Sequence, residues 1–224
     1  MAGELTIPES ILLLALNDET GERKGNFLEY ALAGAALTEL LLIGRVAESG
    51  EPTKRLEIAD GAPVGDPYID ACLETLQEKG SGKKAKSYVE ALGGKPALLR
   101  ILLEQLVNRG VLAIREKKIL FIFTKTTYPE ANPSAERELK ARLEDAMFGA
   151  GEIDVRDSVI IALAHHTDIL KHNFDREKLR EHKARIKDIA DGGLLPQSAT
   201  IEAIKAMQAA VAIAAIMPAV IVTT

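Results

Sequence analysis

The 224-residue chain contains no tryptophan, and aromatic residues make up only 4% of it. Proteins that stack on nucleic-acid bases need aromatic side chains, so this composition offers little for that function. The single cysteine, Cys72, excludes an intramolecular disulfide and suits a reducing compartment. The first residues also lack the basic start and apolar core of a signal peptide. We therefore expect a cytoplasmic protein that has no nucleic-acid partner.

The charge of the chain is unevenly distributed. The net charge is −5, yet the segment from Lys79 to Lys118 contains ten basic and three acidic residues. A basic segment in an otherwise acidic protein favours one local anionic partner over a general affinity for nucleic acids. A solvated face of mixed helices explains the same charges, and composition does not separate the two interpretations.

The stretch Phe27–Gly44 is apolar on nearly all sides, which predicts a helix that is buried all round. Asn26 is its predicted N-cap, and Glu29 would complete a capping box at the third helical position. Gly44 is a natural end. We expect this segment to be the central helix of the domain and Glu39 within it to make a hydrogen bond in the core.

Most of the remaining chain has helical periodicity, with one clear exception. Val111–Ile114 and Ile119–Phe123 are β-prone runs around the charged stretch Arg115–Lys118, which predicts a β-hairpin with its turn at those charges. A second, shorter extended piece at Val46 has a candidate partner in Arg55–Ala59. The predicted fold class is all-α, a single domain over residues 1–224 around a buried helical bundle with one projecting β-hairpin.

Five stretches, in order, resemble the Golgi phosphoprotein 3 family: Asp18–Gly21, Gly44–Val46, Gly110–Leu112, Thr126–Pro129 and Leu163–His165. The resemblance extends over nearly the whole chain through the order and spacing of these stretches. It implies a helical domain with a buried central bundle and a projecting hairpin. It also implies a peripheral membrane protein, because members of that family bind phosphatidylinositol 4-phosphate.

The family's lipid pocket is not matched residue for residue. Its tryptophan and its three arginines align with Lys24, Ala33, Pro96 and Leu99 of this sequence. Lys95 and Arg100 lie beside two of these positions. The resemblance therefore implies the fold and an anionic-lipid function, while the identity of the lipid stays open.

The basic segment and the hairpin supply the candidate site residues. A basic surface meets anionic headgroups, and large apolar side chains beside it can enter the membrane boundary. The same apolar run could instead join two subunits. The candidate headgroup-binding residues are Lys95, Arg100, Arg109, Arg115, Lys117 and Lys118. The candidate membrane or oligomer residues are Ile119, Leu120, Phe121, Ile122 and Phe123.

Three further interpretations were weighed against this one. His165, Asp168 and His172 would share one face of a continuous helix at metal-ligand spacing, although a fourth ligand is missing. The apolar tail Ala206–Val222 suggests a membrane span, but Gln208 and its many alanines argue against that. A winged-helix DNA-binding fold conflicts with the acidic composition.

No nucleophile, base and orienting group can be proposed together from the sequence, so we expect no enzyme, no cofactor and no metal. The expected partner is an anionic phospholipid membrane surface, with a homo-oligomer through the hairpin as a further expectation. The alternative is a soluble interaction protein of the same fold that does not bind lipid.

Overall fold

The computed structural model describes residues 4–24, 28–49, 55–119 and 123–194, with the backbone alone at 117–119 and 123. These residues form ten helices and two small antiparallel sheets of two strands each. The predicted all-α class with a β-hairpin is confirmed. The helices are α1 (Ile7–Ala15), α2 (Leu28–Leu42), α3 (Pro67–Lys79), α4 (Ala85–Gly93), α5 (Pro96–Asn108), α6 (Ser134–Phe148), α7 (Val155–His166), α8 (Ile169–Asn173), α9 (Arg176–Glu181) and α10 (Lys183–Ala190). The strands are β1 (Val46–Glu48), β2 (Leu56–Ile58), β3 (Arg115–Ile119) and β4 (Phe123–Thr127).

Helix α2 is the centre of the fold, as its all-round apolar sequence predicts. Twelve of its fifteen residues are buried, and it lies against α1, α3, α4 and α7. Its end follows the prediction, because Gly44 has a φ of +71° and Arg45 donates its N–H to the Leu40 carbonyl. The predicted cap at Asn26 and the start at Phe27 lie outside the described residues. Glu29 is described, and its carboxylate lies 2.6 Å from the Arg23 guanidinium.

Helix α1 is also buried along its whole length. Thr6 and Glu9 form a reciprocal capping box, in which the Thr6 N–H donates to the Glu9 carboxylate at 2.9 Å. The Glu9 side chain is fully buried, so the carboxylate that caps the helix is also inside the protein. It must therefore find further donors among the helices that surround it.

Those donors come from α5. Gln105 donates to Glu9 at 3.0 Å and to Asp66, the cap of α3, at 2.8 Å, and Arg109 forms an ion pair with Glu9. The Gln105 carbonyl in turn accepts the N–H of Tyr68 at 3.1 Å. One connected polar network thus joins the starts of α1 and α3 to α5.

A second buried carboxylate joins α1, α2 and α7. Glu39 accepts the Ile7 N–H at 3.0 Å and pairs with both terminal nitrogens of Arg156 at 2.7 Å. This two-pronged geometry is the strong form of an arginine–carboxylate pair. The core hydrogen bond expected of Glu39 is confirmed, and it positions α1 on the central helix.

The larger hairpin exists, but its predicted register is wrong. Strand β3 pairs with β4 so that Arg115 lies opposite Thr127 and Ile119 opposite Phe123, with residues 120–122 between the strands and outside the described residues. The charged stretch predicted as the turn is therefore a strand. The reason is that Val111 and Leu112 are buried in the core directly after α5, so their β-prone side chains pack there and do not enter the hairpin.

The smaller sheet confirms the other predicted pairing. Val46 lies opposite Ile58 in the antiparallel pair of β1 with β2, inside the ranges expected from the sequence. The segment that precedes α4 also contacts β2, because Leu56 donates its N–H to the Lys83 carbonyl at 2.8 Å. This sheet anchors the loops at one end of α2.

The predicted long helix after Asp154 is interrupted. Helix α7 ends at His166, and Asp168 adopts a left-handed φ of +61°, which short polar residues tolerate better than most. His165, Asp168 and His172 consequently do not share the face of one continuous helix, and that part of the metal interpretation is wrong. The charged segment 175–190 is likewise divided, at His182, into α9 and α10.

The last thirty residues, 195–224, lie outside the described part of the chain. The membrane-span alternative at 206–222 and the single domain over 1–224 therefore stay predictions. Among the helices of residues 4–194 that are described, none is long and apolar enough to cross a membrane.

Candidate functional site: the hairpin and the cavity at its base

A cavity of about 390 Å³ lies where the hairpin joins the helical body. Its floor is apolar and its rim carries charge, because buried helix residues meet a polar turn and a strand. The described walls come from α1 (Leu12 and Leu16), the following turn (Gly21, Glu22 and Arg23), α5 (Leu99 and Leu103) and the base of the hairpin, where β4 ends (Lys125, Thr126, Thr127 and Tyr128).

The turn after α1 is held firmly against the base of the hairpin. Asn17 accepts the N–H groups of Glu19 and Thr20, and Glu130 donates its N–H to the Asp18 carbonyl at 2.9 Å. Gly21 has a φ of +65°, and a Cβ at this position would lie 2.3 Å from the backbone nitrogen of Tyr128. Only glycine allows the two segments to approach so closely.

Three cations surround this cavity and the first hairpin pair. Lys125 forms an ion pair with Glu22, Arg23 lies 2.6 Å from Glu29, and Arg115 donates to the Glu19 carbonyl at 3.1 Å. The Lys125 and Arg23 pairs are largely exposed, and pairs of this kind contribute about 0–1 kcal/mol. An incoming anionic group can therefore replace these carboxylates at small cost.

The family model described as Golgi phosphoprotein 3 (GPP34) matches residues 7–211, nearly the whole chain. The chain belongs to this family. No curated protein matches the chain. The resemblance drawn from the sequence is confirmed, and the family membership applies to the helical body and the hairpin together.

The four positions that the sequence comparison aligned with the family's lipid pocket do not all lie at the cavity. Leu99 lines the cavity, and Lys24 lies beside it with its ammonium 3.2 Å from Asp18. Ala33 is buried within α2, and Pro96 is exposed at the start of α5. Of these four positions, one therefore lines the cavity and a second lies beside it.

The six predicted headgroup-binding residues do not form one patch. Lys95, 2.6 Å from Glu78, and Arg100, 3.9 Å from Glu104, lie near the start of α5. Arg109 lies at the other end of that helix, roughly 20 Å from Lys95 and roughly 14 Å from Arg100 by helix geometry. Its guanidinium pairs with the buried Glu9, so it stabilises the interior. Arg115 lies at the base of the hairpin.

Lys117 and Lys118 belong to β3 of the hairpin. Ile119 and Phe123 form its last described pair, while Leu120, Phe121 and Ile122 lie outside the described residues. Two cavity residues, Arg23 and Lys125, were missed from the sequence. Lys125 was missed because the predicted hairpin ended at Phe123, and a register placing charged residues in both strands would have included it.

A carboxylate cluster on the far side of the Asp18 turn resembles a metal site. Oxygens of Asp18, Glu130 and Glu136 lie within 4.8 Å of one another. Burial raises the pKa of Glu136, against the opposing effect of Lys140. The Lys140 ammonium lies 2.5 Å from Glu136 and 3.6 Å from Asp18, so a lysine already supplies the positive charge that a metal ion would bring. We interpret the cluster as structural.

Proposed function

We propose that this family member is a peripheral membrane protein that binds anionic lipid headgroups through its hairpin and the cavity at the hairpin base. The observation that carries the proposal is the register of β3 and β4. In that register four basic residues belong to the two strands, and Ile119 with Phe123 is the last described pair. We propose a binding function and no catalysis, and a location on the cytoplasmic surface of a membrane.

The stem of the hairpin is strongly basic. Lys117 is the register partner of Lys125 in the antiparallel pair, and Lys125 also forms an ion pair with Glu22. The concentration of basic residues in the two strands supports an anionic partner. The two strands contain four basic residues and a single acidic residue, Glu116; the basic ones are Arg115, Lys117, Lys118 and Lys125.

The end of the hairpin complements the stem. The sequence Ile119–Phe123 consists of five large apolar residues, and its two outer members form the last pair of the strands. Apolar side chains that enter the headgroup boundary add to the attraction between basic residues and anionic lipids. A basic stem with an apolar end therefore fits a membrane surface better than a soluble partner of either character alone.

The cavity suits a headgroup that bears phosphate. Its volume of about 390 Å³ lies within the range of about 300–1,000 Å³ typical of small-ligand pockets. Arg23 and Lys125 lie on its rim, and a phosphate could displace the exposed carboxylates that now pair with them. We therefore propose a phosphoinositide-type headgroup as the preferred ligand.

Liposome flotation tests the membrane interaction. Each basic residue near an anionic surface contributes about 1 kcal/mol, so Lys117→Glu with Lys118→Glu should weaken binding to anionic vesicles at least about 30-fold. The remaining binding should also depend less on salt. Leu120→Ser with Phe121→Ser should weaken binding even at low salt. The matched control is Lys83→Glu with Lys84→Glu, which makes the same charge change on the loop before α4 and should bind more tightly than the hairpin double variant.

The proposal fails if the parent protein never floats or if both hairpin variants float as well as the parent. An equal loss in the Lys83 and Lys84 control would show that only net charge matters.

Vesicles with a phosphoinositide or with phosphatidylserine, matched in total charge, then test which headgroup the protein prefers. Lys125→Met should reduce the preference for the phosphoinositide, and an unchanged preference would contradict a role for the cavity.

A further inference from the structure

A second cavity, of about 470 Å³, lies among α8, α9 and α10 at the end of α7. Its described lining contains three large aliphatic residues, four lysines or arginines and one histidine, and no carboxylate. The protein as a whole has a net charge of −5, so this lining differs from the average surface. Neither the hairpin nor the basic segment contributes to it.

The floor of the cavity is apolar. Leu170 and Ile186 are each 2% exposed and belong to the hydrophobic core, and Leu179 is partly buried against it. Helix α9, which carries Leu179, has no fully buried residue and begins at the cap Asp175. This short helix therefore borders an apolar surface that it does not fill.

The rim of the cavity is basic. Lys171 lies 2.5 Å from Asp168, and Arg180 lies 3.5 Å from Glu177 in an exposed pair. Arg176 and Lys183 form no ion pair with any residue in the described part of the chain. Two cations thus remain available next to an aliphatic floor, and both lie on exposed helix positions.

We infer that this cavity binds a single-chain anionic amphiphile, a fatty-acid carboxylate, with its acyl chain on Leu170, Leu179 and Ile186 and its carboxylate between Arg176 and Lys183. A free phosphate or a small inorganic anion would leave the aliphatic floor exposed to water. A neutral apolar ligand would leave the basic rim unmatched. The volume lies within the range of about 300–1,000 Å³ of small-molecule pockets. This inference does not depend on the proposed function of the hairpin.

Equilibrium dialysis of the full chain with dodecanoate, below its micelle concentration, tests the inference. We expect saturable binding of one dodecanoate per chain, and at least tenfold weaker binding of dodecyltrimethylammonium, which has the same chain length and the opposite charge. Arg176→Gln with Lys183→Gln should weaken dodecanoate binding at least tenfold. The matched control is Lys86→Gln with Arg100→Gln, two exposed cations on α4 and α5, and it should bind like the parent.

A second variant examines the floor. Leu179→Asp should abolish dodecanoate binding, while the far-UV circular dichroism and the thermal midpoint show whether the fold is kept. Absence of binding by the parent overturns the inference. Equal binding of the cationic amphiphile, or an equal loss in the control, also overturns it. The Lys117→Glu and Lys118→Glu variant should bind dodecanoate normally, so the outcome here is separate from that at the hairpin.

Discussion

Arg109 and Arg100 lie on the same helix, but their side chains have opposite surroundings. The Arg109 side chain is 24% exposed and pairs with Glu9, which is fully buried, whereas the Arg100 side chain is 71% exposed and lies 3.9 Å from Glu104. A buried carboxylate that loses its partner keeps its desolvation cost. An exposed pair loses almost nothing. The two arginines therefore form a matched comparison of structural and surface roles.

Arg109→Ala should lower the free energy of unfolding by about 3 kcal/mol, because Glu9 would remain buried without its cation. Arg100→Ala should change it by less than about 0.5 kcal/mol. Chemical denaturation of the parent and of both variants measures these values. Similar effects in the two variants would contradict the assignment of Arg109 to the core.

Glu130 gives a prediction about pH. Burial raises the pKa of Glu130, as do the charges of Glu136 and Asp18, against the effect of Lys140 and Arg137. The folded protein thus holds this proton more tightly than the unfolded chain, so ionisation of Glu130 costs stability above the raised pKa. The cost disappears once the pH falls below the ordinary glutamate pKa of about 4.3.

Glu130→Gln should therefore raise the thermal midpoint at pH 7, and this gain should shrink as the pH falls and be absent below about pH 4. Glu138→Gln, at an exposed position on α6, provides the control and should leave the midpoint nearly unchanged across this range. Thermal unfolding at several pH values measures both. A lower midpoint for Glu130→Gln at pH 7 would show that Glu130 stabilises the fold as a carboxylate.

Among the structural elements, the turn after α1 positions the hairpin most directly. Gly21 and Gly44 both adopt a left-handed backbone, with φ of +65° and +71°. A Cβ at Gly21 would collide with the backbone of Tyr128, whereas a Cβ at Gly44 would meet nothing within 4 Å. The two glycines thus separate the cost of conformation from the cost of packing.

Gly44→Ala should lower the free energy of unfolding by about 1–2 kcal/mol, the cost of a left-handed alanine. Gly21→Ala should lower it by at least about 2 kcal/mol more, because the turn and the hairpin base must also move apart. Denaturant unfolding of the two variants gives this difference. Equal effects would mean that the contact between the turn and Tyr128 relaxes without cost.

At the scale of the whole molecule, two buried carboxylates join parts of the chain that are far apart in sequence. Glu9 contacts Arg109, one hundred residues away, and Glu39 contacts Arg156, 117 residues away. Both contacts position α1 against its neighbours, and α1 in turn provides a wall of the hairpin cavity. The helical core therefore determines the geometry of the proposed lipid site.

Under the proposed function, the distribution of charge would orient the whole molecule on a membrane. With a net charge of −5 the chain as a whole would be repelled by anionic lipids, whereas the basic hairpin stem would be attracted. Binding that occurs should thus place the hairpin toward the bilayer. The basic rim around Arg176 and Lys183 is a separate feature, contributed by α9 and α10.

The sequence by itself determined the features that depend on neighbouring residues. The all-round apolar surface of α2 predicted its burial, and Gly44 predicted the end of α2. The order of short motifs was enough to identify the family. These features follow from local periodicity and backbone preference, which depend only on residues that are close together in the sequence.

Only the tertiary structure decided the features that depend on distant groups. Val111 and Leu112 are β-prone, but their side chains are buried in the core. The hairpin therefore begins at Arg115 and includes Lys125. Arg109 was predicted at the lipid surface from its charge, yet its partly exposed side chain pairs with a buried carboxylate one hundred residues earlier. The charge or apolarity of a side chain determines which groups it can bind. The packing of the whole chain determines which of those groups lies close enough to contact it.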